Sequence, residues 1–200
     1  KERYGDPADF GYKDLIPLFT ADNFDADEWA DLFVNSGAKF AGPVAEHHDG
    51  FAMWDSDMTE WDAVDMGPHR DIVGELGKAI KEREMKFVTS FHHARKWFWY
   101  EVTYTKDKRH DTEDPKYAGA YKIYPPVHTV KDPPSREYMQ AWEEKVIEVI
   151  DKYEPDLLWF DSGLQREKFW RSSLQEFDGH KRSFLSYYYN KGLQLGKEAL

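Results

Sequence analysis

The sequence predicts an α/β fold in which helices alternate with the strands of a parallel sheet. This prediction rests on two observations. Four short apolar runs each follow a segment with helical spacing, which is the order expected when helices connect parallel strands. Side chains that can do chemistry stand where these runs end. At 200 residues, with 40% hydrophobic and 16% aromatic content, the chain can also bury a substantial core.

The first two units are predicted from helical periodicity followed by an apolar run. A helix over about 25–37 ends at a glycine, which is common directly after a helix, and a strand over 39–46 should follow it. The apolar residues expected on one face of this helix are Trp29, Leu32 and Phe33. A second helix over about 70–84 precedes a strand over 85–92.

Two further units complete the pattern. The third helix begins at Ser135 and ends before Pro155, and a strand over 156–161 follows it. A fourth apolar run predicts a strand over 183–189 that leads into another helix. We expect these four strands to be parallel and to lie in the sheet in the order of the sequence, because right-handed crossovers between neighbours are the usual connection.

Residues 98–134 show neither helical nor strand periodicity and predict an elaborated loop. Structureless segments longer than about 15 residues within a compact domain are usually functional or mobile. We therefore expect this loop to form part of the rim of a substrate site. The alternative is a surface insertion that takes no part in the chemistry.

Charge and composition exclude several classes of partner. The chain has 38 acidic and 27 basic residues, and its net charge of -11 repels both nucleic acid and acidic lipid. No run approaches the roughly 20 apolar residues that a membrane-spanning helix needs, and residues 1–9 show no signal-peptide core. The absence of cysteine excludes disulfides and thiolate chemistry, but it does not indicate a compartment.

Polar side chains follow each predicted strand. They are His47 and His48, His92 and His93, Asp161, and Tyr187 to Asn190. In a parallel (β/α) barrel the carboxyl ends of the strands meet at one face, so these side chains should surround one pocket. Taken singly, a histidine pair can be structural and an aspartate can cap a turn. The joint pattern favours a site for a sugar or a phosphate.

Four histidines near one pocket also allow a zinc site. Adjacent residues of a strand point to opposite faces, however, so His47 and His48 should not serve one metal unless the backbone turns there. No H-E-x-x-H spacing occurs. Imidazoles can instead exchange hydrogen bonds with sugar hydroxyls, and the sequence therefore favours a carbohydrate site with neither metal nor cofactor.

Three segments in order resemble glycoside hydrolase family 29, the α-L-fucosidases. Glu46 to Trp54 contains the sequence HHDGF, Trp61 to Asp71 resembles the stretch before the next helix of the family, and Pro155 to Asp161 resembles the strand that ends in the family nucleophile. The likeness spans residues 24–162. One departure is Glu46, which stands where relatives commonly have lysine.

The resemblance implies roles for individual residues. Asp161 would be the nucleophile, and Trp97 is a candidate contact to the leaving group. The remaining sugar contacts implied are His47, His48, Trp54 and His92. The first strand of the family would precede Lys1 and its general acid/base would follow Leu200, so the acid/base is not assigned.

The implied protein is a retaining exo-α-L-fucosidase that releases terminal α-L-fucosyl residues from glycans through a covalent intermediate. Residues 1–200 would supply about four βα units of a (β/α)8 TIM-type barrel, and this piece alone should lack full activity. The resemblance favours a secreted or periplasmic protein. Two alternatives remain open: a catalytically inactive fucose-binding barrel and a metal-dependent TIM-barrel hydrolase.

Overall fold

The computed structural model describes all residues except 1–3, 7–9, 93–94, 101–110, 130–131, 162–173 and 199–200. The α-helices are α1 (Ala26–Asn35), α2 (Ile72–Glu82), α3 (Lys96–Trp99), α4 (Arg136–Tyr153) and α5 (Leu174–Gln194). The strands are β1 (Phe40–Ala41), β2 (Val44–Glu46), β3 (Lys86–Phe91) and β4 (Leu157–Phe160). Short 3-10 helices cover Tyr12–Leu18 and Asp111–Glu113.

The sheet is parallel and is centred on β3. Strands β1 and β2 pair with one edge of β3, and β4 pairs with the other, with Phe91 opposite Phe160. The prediction of parallel strands in sequence order is therefore confirmed for the first three runs.

The run 39–46 is interrupted at Gly42, where a Cβ atom would lie 1.5 Å from the carbonyl oxygen of Val88. Only glycine allows the two backbones to approach so closely.

Helices α2 and α4, both predicted from the sequence, supply the core that supports the sheet. The Asp71 carboxylate caps α2 by accepting from the Gly74 N–H, and the Ser135 hydroxyl caps α4 by accepting from the Tyr138 N–H. Their buried apolar residues lie at helical spacing against the sheet: Val73, Leu76 and Ile80 from α2, and Met139, Trp142, Val146 and Ile150 from α4. The carboxyl ends of the strands thus rest on a well-packed base.

The predicted apolar face of α1 was wrong for two of its three residues, whereas Phe33 is half-buried against the core. Trp29 and Leu32 are 47% and 64% exposed, and the buried residue of α1 is Ala30. Arg83, at the end of α2, forms ion pairs with Asp27 and Asp31 on the same side of α1 as Ala30. A small residue flanked by acids lets the two helices approach each other, so α1 packs through charges as well as apolar contact.

The predicted strand over 183–189 was also wrong, because these residues lie within α5. Phe184 and Tyr188 are buried four residues apart, whereas Tyr187 and Tyr189 are exposed. This is helical spacing, and Phe184 packs edge-on against Trp142 of α4 at 5.3 Å. Four of the seven residues 183–189 are aromatic and three of these are consecutive tyrosines, so the run gives no clear choice between the two periods. The described residues form three parallel strand units in an open sheet.

The stretch 98–134 is irregular where it is described, as predicted, but it has a core of its own. Tyr124 is fully buried and packs on Tyr100, and its hydroxyl donates to Asp111 and accepts from the Lys13 N–H. The stretch is thereby fixed to the N-terminal 3-10 helix. A separate check of the described residues finds no helix with the length and apolar content needed to cross a membrane.

Candidate active site

The backbone turns directly after β2, which ends at Glu46. The N–H of Gly50 donates to the carbonyl oxygen of His47, and Gly50 has a φ of 87°. A Cβ atom at Gly50 would lie 2.6 Å from the Nζ of Lys96, so glycine is required for both conformation and space. His47 and His48 therefore stand on a turn, and their side chains are free of the alternation that a strand imposes.

Three imidazoles meet at this turn. The ring centroids of His47 and His48 are 4.2 Å apart, and those of His47 and His92 are 4.5 Å apart. His92 directly follows β3, and its N–H donates to the carbonyl oxygen of Glu46, which fixes the two strand ends relative to each other. The indole of Trp99, from α3, lies 5.0 Å from the ring of His48. We call His47, His48 and His92 the histidine cluster.

Asp161 brings a carboxylate to the histidine cluster from the third strand. It follows β4, and its N–H donates to the carbonyl oxygen of Phe91 at the end of β3. Its Oδ2 lies 3.3 Å from Nδ1 of His92, and 48% of its side chain is exposed. The ends of β2, β3 and β4 thus place three imidazoles and one accessible carboxylate at one edge of the sheet.

The environment favours the uncharged form of two of the three imidazoles, those of His48 and His92. Burial, together with His47, Arg95 and His92, lowers the pKa of His48 to about 4, although Asp161 acts in the opposite direction. Burial and the nearby His47 also lower the pKa of His92, again against the effect of Asp161. A neutral imidazole offers one N–H donor and one acceptor nitrogen, which suits it to neutral hydroxyl groups.

A buried ion pair supports the turn from below. Oε2 of Glu46 accepts from Nζ of Lys145 at 2.8 Å, and the two side chains are 1% and 3% exposed. The charge of Glu46 is therefore paired inside the core. Lys96 is also buried, and its Nζ donates to the carbonyl oxygen of Lys122. Burial, with a smaller effect of Lys145, lowers the pKa of Lys96 to about 7.

Two residues singled out from the sequence do not reach the cluster. Trp54 is fully buried. The Met53 N–H donates to the Ala45 carbonyl oxygen, which returns the chain beneath the sheet. The Trp54 indole N–H donates there to Glu148. Trp97 is 2% exposed. Its ring stacks on His128, with centroids 3.8 Å apart, and its N–H donates to the Asp132 carbonyl oxygen. Both have core positions in the described structure.

The strand-end residues expected from the fourth run also lie elsewhere. Tyr187 is in α5, and its hydroxyl donates to Asp151 of α4. His93 lies outside the described residues.

Sequence reasoning missed Trp99, which is half exposed and stands over His48. Arg95, directly before the short helix α3, and Trp99, at its end, are four residues apart, and both act on His48. Helical spacing just after a strand that ends in histidine was the available signal, but one turn of helix is too short to identify by periodicity.

A cleft of about 820 Å³ adjoins His47 and Asp49 and is otherwise mainly apolar, with Phe19, Phe24 and Trp29 in its wall.

The cluster has the composition of a metal site. One nitrogen from each of the three imidazoles lies within 4.8 Å of the others. The stated exception applies, because the backbone turns after β2 and the rings of His47 and His48 lie 4.2 Å apart. Histidine is a common ligand of zinc.

Comparison with known proteins identifies the family. The family described as Alpha-L-fucosidase matches residues 1–198. This chain belongs to the alpha-L-fucosidase family. The tissue alpha-L-fucosidase of Bos taurus is 33% identical over 192 residues, which cover 95% of this chain and 34% of the relative. The chain therefore spans about a third of the length of the curated alpha-L-fucosidases it matches.

Solved alpha-L-fucosidase structures share the fold. A Thermotoga maritima alpha-fucosidase in complex with a mechanism-based inhibitor is 32% identical, with a TM-score of 0.64 over 95% of this chain and 38% of that one. The complex of a Thermotoga maritima alpha-fucosidase with fucose is also 32% identical, with a TM-score of 0.61 over 91% of this chain and 37% of that one. The resemblance seen in the three sequence motifs is confirmed at the level of the family and of the parallel α/β fold.

Proposed function

We propose that this chain carries the nucleophile and sugar-binding residues of a retaining exo-α-L-fucosidase, which releases terminal α-L-fucosyl residues from glycans. The observation that supports this most is the position of Asp161, an accessible carboxylate 3.3 Å from one of three clustered imidazoles. A nucleophile and a set of hydroxyl partners are the parts that such a site needs in one place.

The proposed reaction proceeds in two displacements. A carboxylate oxygen of Asp161 attacks the anomeric carbon of the fucoside while the bond to the leaving oxygen breaks and a carboxylic acid protonates that oxygen. Water then attacks the same carbon and gives its proton to the deprotonated acid/base, which releases fucose with retained configuration and restores both carboxyl groups to their starting forms. The acid/base is not assigned to a residue of this chain. The complete protein is therefore the unit expected to be active.

The histidine cluster would hold the sugar during both steps. The neutral imidazoles of His48 and His92 can each donate to one hydroxyl group and accept from another, and His47 adds a third ring beside them. Trp99 joins them as a candidate contact, since its exposed indole can pack on the C–H face of a sugar ring. Trp54 and Trp97, implied by the resemblance, would act through the core packing beneath the site.

The relatives support both the substrate and the mechanism. One Thermotoga maritima relative is bound to fucose and another to a mechanism-based inhibitor. The closed (β/α)8 barrel, with residues 1–200 as part of one catalytic domain, and a secreted or periplasmic location are further predictions of this proposal. The partner expected is a fucosylated oligosaccharide or glycoconjugate.

Replacing Asp161 with glycine in the complete protein tests the proposal. The Asp161→Gly variant should lose nearly all turnover of an aryl α-L-fucoside and keep its affinity for fucose, because the hydroxyl contacts come from other residues. Added azide should restore some cleavage of the activated substrate and yield the glycosyl azide of inverted configuration. The control is Asp57→Gly, which removes an 82% exposed carboxylate from a surface ion pair. Near-normal turnover in Asp161→Gly would contradict the assignment.

The histidine cluster also favours a second candidate function, that of a metal-dependent hydrolase. In that case chelation should abolish turnover and zinc should restore it, whereas the retaining mechanism predicts no loss on chelation. A third function, fucose binding without turnover, would be indicated by fucose affinity in a complete protein that cleaves no α-L-fucoside.

A further inference from the structure

The histidine cluster has a geometry that sugar binding alone does not require. One nitrogen from each of His47, His48 and His92 lies within 4.8 Å of the others, so all three rings border the same small volume. Ligands of a tetrahedral zinc ion at 2.0–2.1 Å stand roughly 3.4 Å apart. Small rotations of the three side chains would close the difference. The backbone positions are already fixed by the turn after β2 and by the hydrogen bond from the His92 N–H to Glu46.

His48 provides an independent indication of a ligand. Its side chain is buried, with the residue 8% exposed, and neither ring nitrogen has a hydrogen-bond partner among the described residues. Buried polar atoms nearly always have partners, because an unsatisfied one costs free energy. The ring lies beside those of His47 and His92, at centroid distances of 4.2 and 5.6 Å. A ligand placed among the three rings would therefore satisfy a buried group that the protein itself does not satisfy.

The charge beside the cluster also favours a cation. Oδ2 of Asp161 lies 3.3 Å from Nδ1 of His92, and the side chain is accessible enough to turn toward a bound ion. Three imidazoles with a carboxylate or water in the fourth position form a common arrangement for protein-bound zinc. Imidazole ligands favour zinc and its neighbours over magnesium or calcium, which prefer oxygen ligands.

We propose that His47, His48 and His92 bind one Zn²⁺ ion and that this ion inhibits the enzyme. A bound ion would occupy the lone pairs that accept from sugar hydroxyls and would draw the Asp161 carboxylate away from the anomeric carbon. Zinc and the fucoside should therefore exclude each other. The binding of zinc is independent of the proposed function, whereas its inhibitory effect rests on that function.

The experiment is calorimetric titration of the complete protein with ZnCl₂ near pH 7.5, after removal of metal by a chelator. We expect one ion per chain. His48→Phe and His92→Phe keep a planar ring but remove the ligand nitrogen. Each should weaken zinc binding at least about 10- to 100-fold, the range seen when even an outer partner of a ligand is removed. The control is His69→Asn, which removes an exposed imidazole at a position with a φ of 50° that asparagine tolerates.

A parallel measurement follows hydrolysis of an aryl α-L-fucoside with increasing zinc. Zinc should raise KM without lowering kcat, and L-fucose should reduce the affinity for zinc in the titration. Circular dichroism and thermal melts without metal establish that each variant is folded. If His48→Phe does not fold, His92→Phe alone carries the test, because His92 is more accessible than His48.

The outcomes separate this proposal from the proposed function. Absence of zinc binding in a protein that cleaves the fucoside would overturn the metal site and leave the function intact. Equal zinc affinity in His92→Phe and the unmodified protein would also overturn it, by placing the ion elsewhere. Zinc binding at the cluster without any fucosidase turnover would support the site and overturn the function. Activation by zinc would overturn the inhibitory role.

Discussion

Glu46 and Asp161 are two carboxylates at the ends of strands in the same sheet, and their surroundings differ sharply. Glu46 is 1% exposed and is paired with Lys145 at 2.8 Å, whereas Asp161 is 48% exposed and lies beside the neutral ring of His92. A carboxylate paired with a buried cation stabilises the fold and is out of reach of a substrate. A solvent-accessible carboxylate beside neutral imidazoles can reach a substrate and act as a nucleophile. The environment, more than the residue type, separates the structural role from the chemical one.

The largest expected effect on stability comes from breaking the buried pair. Glu46→Gln leaves the ammonium of Lys145 buried without a counter-charge and should lower the free energy of unfolding by about 3–5 kcal/mol. Urea denaturation of the complete protein measures this change. The matched control is Glu60→Gln, because Glu60 pairs with Lys122 at the same distance of 2.8 Å but is 59% exposed. The control should cost less than about 1 kcal/mol.

Equal losses in Glu46→Gln and Glu60→Gln would show that burial does not distinguish the two carboxylate environments. Asp161→Asn should resemble the exposed control in stability, since its side chain is half in solvent.

Removal of one imidazole should affect catalysis more than folding. His48→Ala should reduce kcat/KM for an aryl α-L-fucoside, because a sugar hydroxyl loses a buried partner. The reduction should correspond to a loss of about 1–3 kcal/mol of transition-state stabilisation. Steady-state kinetics give the change, and His69→Asn again serves as the control. An unchanged kcat/KM with normal folding would remove His48 from the proposed sugar contacts.

The remaining expected effect concerns the pH dependence of stability and the buried Lys96. Its pKa of about 7 in the folded protein lies below the ordinary value of 10.5, so the unfolded chain binds more protons between these values. The stability of the unmodified protein, relative to Lys96→Met, should therefore rise with pH from 7 to 9, by up to about 1.4 kcal/mol per unit. Lys78→Met, at a side chain that is 77% exposed, should show no such trend. If the difference in free energy of unfolding between the unmodified protein and Lys96→Met did not change with pH, the assigned effect of burial on the pKa of Lys96 would be contradicted.

The sequence predicted the elements in which one regularly spaced set of apolar residues packs against the rest of the core. Helices α2 and α4 each bury one stripe against the sheet, and β3 was found from its apolar run. The run 184–189 was misassigned because four of its six residues are aromatic and a fifth is leucine, so the burial of only Phe184 and Tyr188 could not be anticipated. The face of α1 depends on contacts with Arg83 from another helix, which no local pattern contains.

The same distinction applies to the candidate site. His47, His48, His92 and Asp161 could be predicted because they follow strands that must end at one edge of a parallel sheet. The close approach of the His47 and His48 rings could not be predicted, because it depends on a turn at Gly50. Only glycine fits there, since a Cβ atom would lie 2.6 Å from the Nζ of Lys96. The core position of Trp54 likewise depends on Glu148, which is 94 residues away.

The most direct test of the central claim is to trap the glycosyl-enzyme of the complete protein with a 2-deoxy-2-fluoro-α-L-fucosyl donor and to map the label by peptide mass spectrometry. The fluorine slows both displacements, and a good leaving group lets the intermediate accumulate. We predict one label per chain, on Asp161, and none in the Asp161→Asn variant. A label on any other carboxylate, with Asp161 recovered unmodified, would show that the nucleophile has been assigned to the wrong residue.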